Sequence, residues 1–243
     1  MRLPVMAGVV ERRLLINYRT DPSVAARLVP APLRPQLVNG HAVAGICLIR
    51  LGRLRPHPLP PVAGLRTENA AHRIAVEWDT PDGVATGVYI PRRDTGSWGT
   101  ALAGGRLFPG EQHRARFTVS ESDAQVAVAF RSVDGTGEVD VRVRPVPDWP
   151  GSTLFGSLAE ASDFFRRGAA GYSATAGGCT LDGLELRSTA WTIEPTEVTE
   201  AHSSFFTDTA LFPPGSAHLD GALLMRNVPV TWHALPDMPL PVG

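Results

Sequence analysis

The chain has 243 residues, of which 43% are hydrophobic, and a formal net charge of −1 at pH 7. This apolar content is ordinary for a globular protein with a core, and the balanced charge offers no basic surface for nucleic acid or anionic lipid. We therefore expect no nucleic-acid partner. No stretch reaches the roughly 18 apolar residues of a membrane-spanning helix, and residues 1–15 lack a signal-peptide core, so we expect a cytoplasmic protein without a membrane partner.

Two further features bear on domain count and redox chemistry. No Ser/Gly-rich linker or charge run divides the chain, which predicts one domain over residues 1–243. The two cysteines, Cys47 and Cys179, have neither the spacing of metal ligands nor that of a disulfide framework. Cys47 lies in the apolar run AVAGICLI, where a small buried thiol is the simplest interpretation. We expect no metal and no cofactor.

The first third of the chain alternates strand and helix patterns. Leu14, Ile16 and Tyr18 recur at period two, which indicates a strand. Asp21-Pro22 is typical of a helix start, with proline at the first helical position, and predicts a short helix over 22–28. Asn39-Gly40 between apolar runs predicts a hairpin.

The rest of the chain is dominated by strand patterns. Period-two segments divided by turn residues fill most of residues 70–144 and return after residue 184. A helix over 157–167 interrupts them, because Ser157 and Glu160 form a capping box and Gly168 suits the helix end. These patterns predict an α+β protein, mainly antiparallel β, with at least eight strands in one continuous barrel-like core.

Polar residues within apolar strands are the candidates for chemistry, since the common hydrolase, nucleotide-binding and zinc-protease motifs are absent. In TENAAHRIAVEWD, alternation places Glu68 and His72 on one face with Ile74, and Arg73 on the other. Glu68 is a candidate general base, and His72 a candidate proton donor. The alternatives are a solvated Glu68 at a loop end and a hydrogen-bonded wall histidine.

Arginines supply the candidate binding groups. Alternation along YIPRRDT separates Arg92 from Arg93 and Tyr89, so only one of the two arginines can face inward if the strand is regular. Arg106, between Gly105 and Leu107-Phe108, is placed to bind a carboxylate or to pair with Glu68 for stability alone. We expect Glu68 and Arg106 to share one enclosed cavity.

The chain closely resembles the uncharacterised DUF2071 family of YqjF-like proteins over nearly its whole length. The resemblance is carried by the segments ENAAHRIAVEW, GVYIPRRDT, ALAGGRLFPG, FGSLAEASDFFRRGAAGYS, SSFF and ALLMRNVPVTWHAL. The family in turn resembles the acetoacetate decarboxylase superfamily in ARLVPAPLRP, Glu68 and GRLFPGEQHR. This resemblance implies a cone-shaped antiparallel β-barrel with a closed pocket for small keto acids or related carbonyl compounds. Many relatives are oligomeric, which implies a homo-oligomer here.

One departure from the superfamily decides the chemistry. Acetoacetate decarboxylase forms a Schiff base through a lysine, whereas all 23 basic Lys or Arg residues of this chain are arginine. The superfamily's lysine positions fall near Gln112 and His113. Arginine is permanently protonated and cannot add to a carbonyl, so Schiff-base decarboxylation is excluded.

These observations favour an enzyme that acts non-covalently on a keto acid or related carbonyl compound by acid–base steps such as enolisation, hydration, dehydration or cyclisation. The alternatives are a ligand-binding protein that uses the same pocket without turnover, and a structural or partner-binding role. The candidate catalytic residues are Glu68, His72 and His113, although a lone histidine at a strand start is commonly a surface residue. The candidate residues that bind the carbonyl or carboxylate ligand are Arg106, Arg92, Tyr89 and Gln112.

Overall fold

The computed structural model describes residues 4–97, 110–175 and 177–240. Three α-helices lie within these ranges: α1 (Pro22–Leu28), α2 (Leu158–Arg167) and α3 (Ser204–Thr207), with a 3₁₀ turn at Pro61–Ala63. The thirteen described strands are β1 (Met6–Thr20), β2 (Arg34–Pro35), β3 (Leu37–Val38), β4 (His41–Pro56), β5 (Leu65–Thr80), β6 (Gly83–Thr95), β7 (Gln112–Glu121), β8 (Val126–Ser132), β9 (Glu138–Pro145), β10 (Ala170–Ala174), β11 (Thr180–Arg187), β12 (Glu194–Ser203) and β13 (Ala217–Pro239).

The two predicted helices form where their capping residues place them. Asp21 accepts a hydrogen bond from the Ser23 backbone N–H at the start of α1. Ser157 accepts from the Glu160 N–H at the start of α2, and the Gly168 N–H closes its end. Both predictions are confirmed, while the four-residue α3 is formed by SFFT, which has no side-chain cap hydrogen bond.

The strands pair into two rings that share one wall. The first ring consists of β1, β4, β5, β6, β10, β11 and β13, because β11 pairs with both β10 and β13. The second ring uses the same β1, β4, β5, β6 and β13 and is completed by β7, β8, β9 and β12. The predicted mainly β architecture is confirmed.

The sheet is mainly antiparallel, as predicted, but it also contains two parallel pairings. Strand β6 pairs in parallel with β7 and with β10. Parallel neighbours need a long connection to return the chain to the same end of the sheet. In sequence, 16 residues separate Thr95, the last residue of β6, from Gln112, the first residue of β7.

The shared strands are buried on both faces. Leu14 and Ile16 of β1 pack in one cluster with Val128 of β8 and Val141 of β9, inside the second ring. Leu15, between them, packs instead in a cluster with the phenylalanines of α2. Successive residues of the shared wall therefore serve different rings, and the second ring is filled with apolar side chains.

A candidate active site: an arginine-lined cavity

A cavity of about 140 Å³ lies inside the first ring, and all seven strands of that ring contribute to its wall. Apolar side chains such as Ile49, Ile90 and Leu184 form much of the lining. A dry cavity of about this size accepts a molecule as large as benzene, so a small organic acid fits. The polar side chains are Arg13, Cys47, Asn69, Arg73, Arg93, Asp94 and Gln112.

Three arginines, from strands β1, β5 and β6, converge on this cavity. Arg73 of β5 donates from Nη2 to the Asn17 Oδ1 at 2.6 Å, and its guanidinium lies 4.6 Å from the Phe165 ring centre. Arg93 of β6 donates from Nε to the Ser173 Oγ at 3.4 Å. Arg13 of β1 is half-buried and also lines the cavity. We call Arg13, Arg73 and Arg93 the arginine cluster.

The arginine cluster has no carboxylate partner within the described residues. The remaining residues, 1–3, 98–109, 176 and 241–243, contain no Asp or Glu in sequence. Arg73 is 3% exposed, and its Nε has no hydrogen-bond partner among the described residues. Burial lowers the pKa of Arg73 and of Arg93 to about 10, so both remain charged at pH 7. A cavity of this kind favours an anion, because a buried charge without a partner is costly.

A β-bulge brings Arg93 into the cavity. His72 pairs with Arg92 and Ile74 pairs with Tyr89, so Ile90 and Pro91 together oppose Arg73. The extra residue reverses the alternation of β6 beyond this point. Arg93 therefore lines the same cavity as Ile90, whereas a regular strand would have turned it away.

Arg92 and Asp94 neutralise each other beside the cavity. Arg92 donates from Nε and Nη2 to the two carboxylate oxygens of Asp94, at 2.9 and 2.8 Å. Asp94 is fully buried, and burial raises its pKa while the bonds from Arg92 oppose that rise. Asp94 thus lines the cavity but leaves the arginine cluster uncompensated.

Cys47 also reaches the cavity, which the apolar run around it did not indicate. Its Sγ accepts a hydrogen bond from the Arg13 Nε at 3.3 Å. The residue is 8% exposed and lies on the wall shared with Arg73. Cys47 packs in the expected apolar cluster, but it also presents a polar sulfur to the cavity.

Glu68 lies on the opposite face of β5 from Arg73. Its two carboxylate oxygens accept from Arg12 and Arg50, each at 2.5 Å. Arg50 also pairs with Glu121, and Arg12 lies 3.4 Å from the same carboxylate. Among the described residues, those that line the arginine cavity do not include Glu68. The expectation that Glu68 faces the ligand cavity is therefore wrong for this cavity. The sequence pattern assigned Glu68 and Arg73 to opposite faces of β5 correctly, but the cavity lies on the Arg73 face.

His72 lies on the same face as Glu68 and is 1% exposed. Its Nε2 lies 3.2 Å from the Ser203 Oγ, and its ring centre is 4.6 Å from that of Phe205. Burial, and secondly the charge of Arg92, lower the pKa of His72 to about 3. His72 is thus a neutral, hydrogen-bonded wall residue at pH 7, which is the alternative to a proton donor that the sequence analysis gave for it.

The buried His72 predicts a specific loss of stability in acid. The unfolded chain binds a proton at this residue below pH 6.5, whereas the folded chain does so only near pH 3. The contribution of neutral His72 to the free energy of unfolding is complete above pH 6.5. It falls by about 1.4 kcal/mol per pH unit as the pH drops from 6.5 towards 3. Between pH 7 and pH 4.5, urea unfolding should show the wild type losing about 2–3 kcal/mol more than His72→Phe. The exposed His57→Gln should lose as much as the wild type, and equal slopes for all three proteins would contradict the assignment.

The other sequence-predicted residues are distributed around the fold. His113 Nδ1 lies 2.7 Å from Asp134, whose pKa is held well below its usual range by hydrogen bonds from Ser132, Thr136 and His113. Tyr89 is buried among residues of the second ring, and burial raises its pKa. Gln112 does line the cavity. Arg92, predicted to bind ligand, is held by Asp94 instead.

Arg106 lies outside the described residues, so the expectation that it shares a cavity with Glu68 stays a prediction. Within the described part of the chain, no group of three or more His, Cys, Asp and Glu side chains is arranged to hold a metal ion. Over the same residues, no helix is long and apolar enough to cross a membrane.

The sequence of the chain matches a known family of proteins. The model of DUF2071, described as an uncharacterized conserved protein, matches residues 9–223, so the chain belongs to that family. No curated protein matches the chain in sequence.

The solved structures that resemble the chain share its fold at low sequence identity. Acetoacetate decarboxylase from Legionella pneumophila is 12% identical with a TM-score of 0.57, over 97% of this chain and 88% of that one. The enduracididine biosynthesis enzyme MppR, complexed with pyruvate, is 11% identical with a TM-score of 0.63, over 99% and 91%. An acetoacetate decarboxylase-like enzyme from Sphingomonas wittichii is 13% identical with a TM-score of 0.58, over 98% and 93%. The fold is therefore that of acetoacetate decarboxylase-like proteins.

Proposed function

We propose that this protein is a small-molecule enzyme that binds a keto acid or related carbonyl compound in the arginine-lined cavity and acts on it by non-covalent acid–base chemistry. The observation that carries the proposal is the arginine cluster, which has no carboxylate partner among the described residues. A ligand carboxylate supplies the missing negative charge. Arginine suits this role because its planar N–H groups match both oxygens of a carboxylate.

The same positive charge favours enolisation of the bound compound. Removing a proton from the carbon next to a carbonyl places negative charge on the carbonyl oxygen. Guanidinium groups held in a cavity with apolar walls stabilise that charge more strongly than water does, because they are already oriented. Ile49, Ile90 and Leu184 provide such walls. Enolisation is also the common first step of the dehydrations and cyclisations considered above.

A related structure supports this substrate class, and the composition of the chain limits the mechanism. MppR, which shares the fold, has been solved with pyruvate and with the condensation product of pyruvate and imidazole 4-carboxaldehyde. The chain has no lysine, so a lysine Schiff base with such a ketone is excluded. The proposal is therefore a keto-acid site that uses electrostatic stabilisation in place of an imine.

Pyruvate is a suitable probe for both binding and turnover. Calorimetry should detect binding of pyruvate, oxalate or acetoacetate but not of methyl pyruvate, because the ester lacks the carboxylate. In deuterated buffer, ¹H NMR should show loss of the pyruvate methyl signal at least tenfold faster with protein than without it. Binding without exchange would favour the alternative, a binding protein without turnover. Failure to bind any of the three acids would contradict a carboxylate site.

A further inference from the structure

Cys47 differs in two ways from a cysteine that only fills an apolar core. It faces the cavity, and its Sγ accepts a hydrogen bond from a cationic group, the Arg13 Nε, at 3.3 Å. Reactive cysteines are generally found beside positively charged groups. Arg73 and Arg93 line the same cavity as this sulfur.

A second, independent observation supports a ligand in this part of the cavity. Arg73 is only 3% exposed, and its Nε has no hydrogen-bond partner among the described residues. A buried donor without a partner costs free energy that a bound acceptor recovers. The anion that satisfies Arg73 would therefore lie on the wall that also carries Cys47.

The other described polar groups of the cavity are poor proton carriers. The arginines keep their protons near neutral pH, and the amides of Asn69 and Gln112 do not titrate. Asp94 is titratable, but both of its oxygens accept hydrogen bonds from Arg92. Cys47 is thus the described lining residue with a titratable group that a ligand can reach.

We infer that Cys47 is the proton-transfer residue of the arginine-lined cavity, an inference that rests on the proposed function. The thiolate sulfur takes a proton from the carbon next to the ligand carbonyl. The electron pair of that C–H bond forms the new C=C bond, and the carbonyl π electrons move to oxygen, where a guanidinium donates to the enolate. Return of the proton from the thiol, to the same or another carbon, completes the step without an external oxidant or reductant.

Alkylation compares Cys47 with a cysteine of the same chain. Cys179 is exposed and lies outside the cavity, so it serves as an internal reference. The protein is treated at pH 7 with limiting iodoacetamide, and both labelled peptides are quantified by mass spectrometry. Cys47 should react at least ten times faster than Cys179 despite its burial. Arg13→Gln should remove most of that advantage, while Arg116→Gln, at an exposed position on β7, should leave it unchanged.

The anionic reagent iodoacetate tests the carboxylate site separately. It should be guided to Cys47 by the arginine cluster, so its rate relative to iodoacetamide should be at least tenfold higher at Cys47 than at Cys179. Arg93→Met should abolish this preference for the anion. An excess of pyruvate should protect Cys47 and leave Cys179 unprotected.

Deuterium exchange into pyruvate connects the thiol to the reaction. Cys47→Ser should slow the exchange at least 100-fold and change the pyruvate dissociation constant by less than threefold, while Cys179→Ser changes neither. If exchange persists in Cys47→Ser, or if Cys47 reacts with iodoacetamide no faster than Cys179, the inference about Cys47 is overturned although the carboxylate site stands. If pyruvate and the other acids do not bind the wild type, the proposed function itself fails.

Discussion

Replacing Arg93 with methionine is expected to weaken pyruvate binding about 100-fold and at the same time to stabilise the unliganded protein. A charge-assisted hydrogen bond contributes about 1.5–3 kcal/mol, and losing one or two of them corresponds to this change in affinity. The ligand-free fold carries Arg93 half-buried and without an acidic partner among the described residues, so a methionine of similar volume removes an uncompensated charge. Such replacements raise the free energy of unfolding by about 1–2 kcal/mol.

Calorimetry and urea unfolding of the same preparations measure the two effects. Arg116→Gln is the matched control, because it removes one exposed positive charge and should change neither quantity. A loss of both affinity and stability in Arg93→Met would mean that Arg93 is a structural residue. Unchanged affinity would remove Arg93 from the ligand site.

The second large effect concerns Glu68. Changing it to glutamine should destabilise the fold by about 3 kcal/mol, because breaking a buried ion pair leaves its partner charged and uncompensated. That partner is Arg12, which is 1% exposed and pairs with Glu68 at 2.5 Å. Glu121 stays near Arg12 at 3.4 Å, which limits the loss to the lower end of the usual range.

Glu77→Gln is the control for this variant, since Glu77 pairs with the half-exposed Arg34 at the surface. Its cost should stay below about 1 kcal/mol. Pyruvate affinity should be unchanged in Glu68→Gln, because the carboxylate lies on the face of β5 away from the cavity. A normal unfolding free energy combined with lost exchange would instead return Glu68 to the role of general base that the sequence suggested.

The strand patterns were sufficient to predict most of the helices and strands. They did not predict that the shared strands would face one ring with one side and the other ring with the other. Alternation along β5 correctly separated Glu68 and His72 from Arg73. It could not show which face holds the cavity, because β5 is apolar on both sides: Ala70 and Ile74 are buried on one face, Ala75 on the other. A strand covered on both faces loses the contrast from which an inward direction is inferred.

Two described strands escaped the sequence patterns for a related reason. Strand β12, EPTEVTEAHS, is mostly polar, and β10 is only five residues long with Gly171 near its start. They pair through backbone hydrogen bonds with β9 and β11, which do not depend on an apolar period-two pattern. The signal that could have located the cavity is the occurrence of Arg13, Arg73 and Arg93 in strands rich in buried residues.

The bulge at Ile90 and Pro91 means that the polarity of this cavity can change by insertion or deletion rather than by substitution. Loss of a single residue there would restore regular alternation and exchange the orientations of Arg92 and Arg93. The cavity would then be lined by Arg92, which pairs with Asp94, in place of Arg93, which has no acidic partner among the described residues. Related chains could thus diverge between anion-selective and nearly neutral pockets in one evolutionary step, while every side chain in the surrounding sheet stays the same.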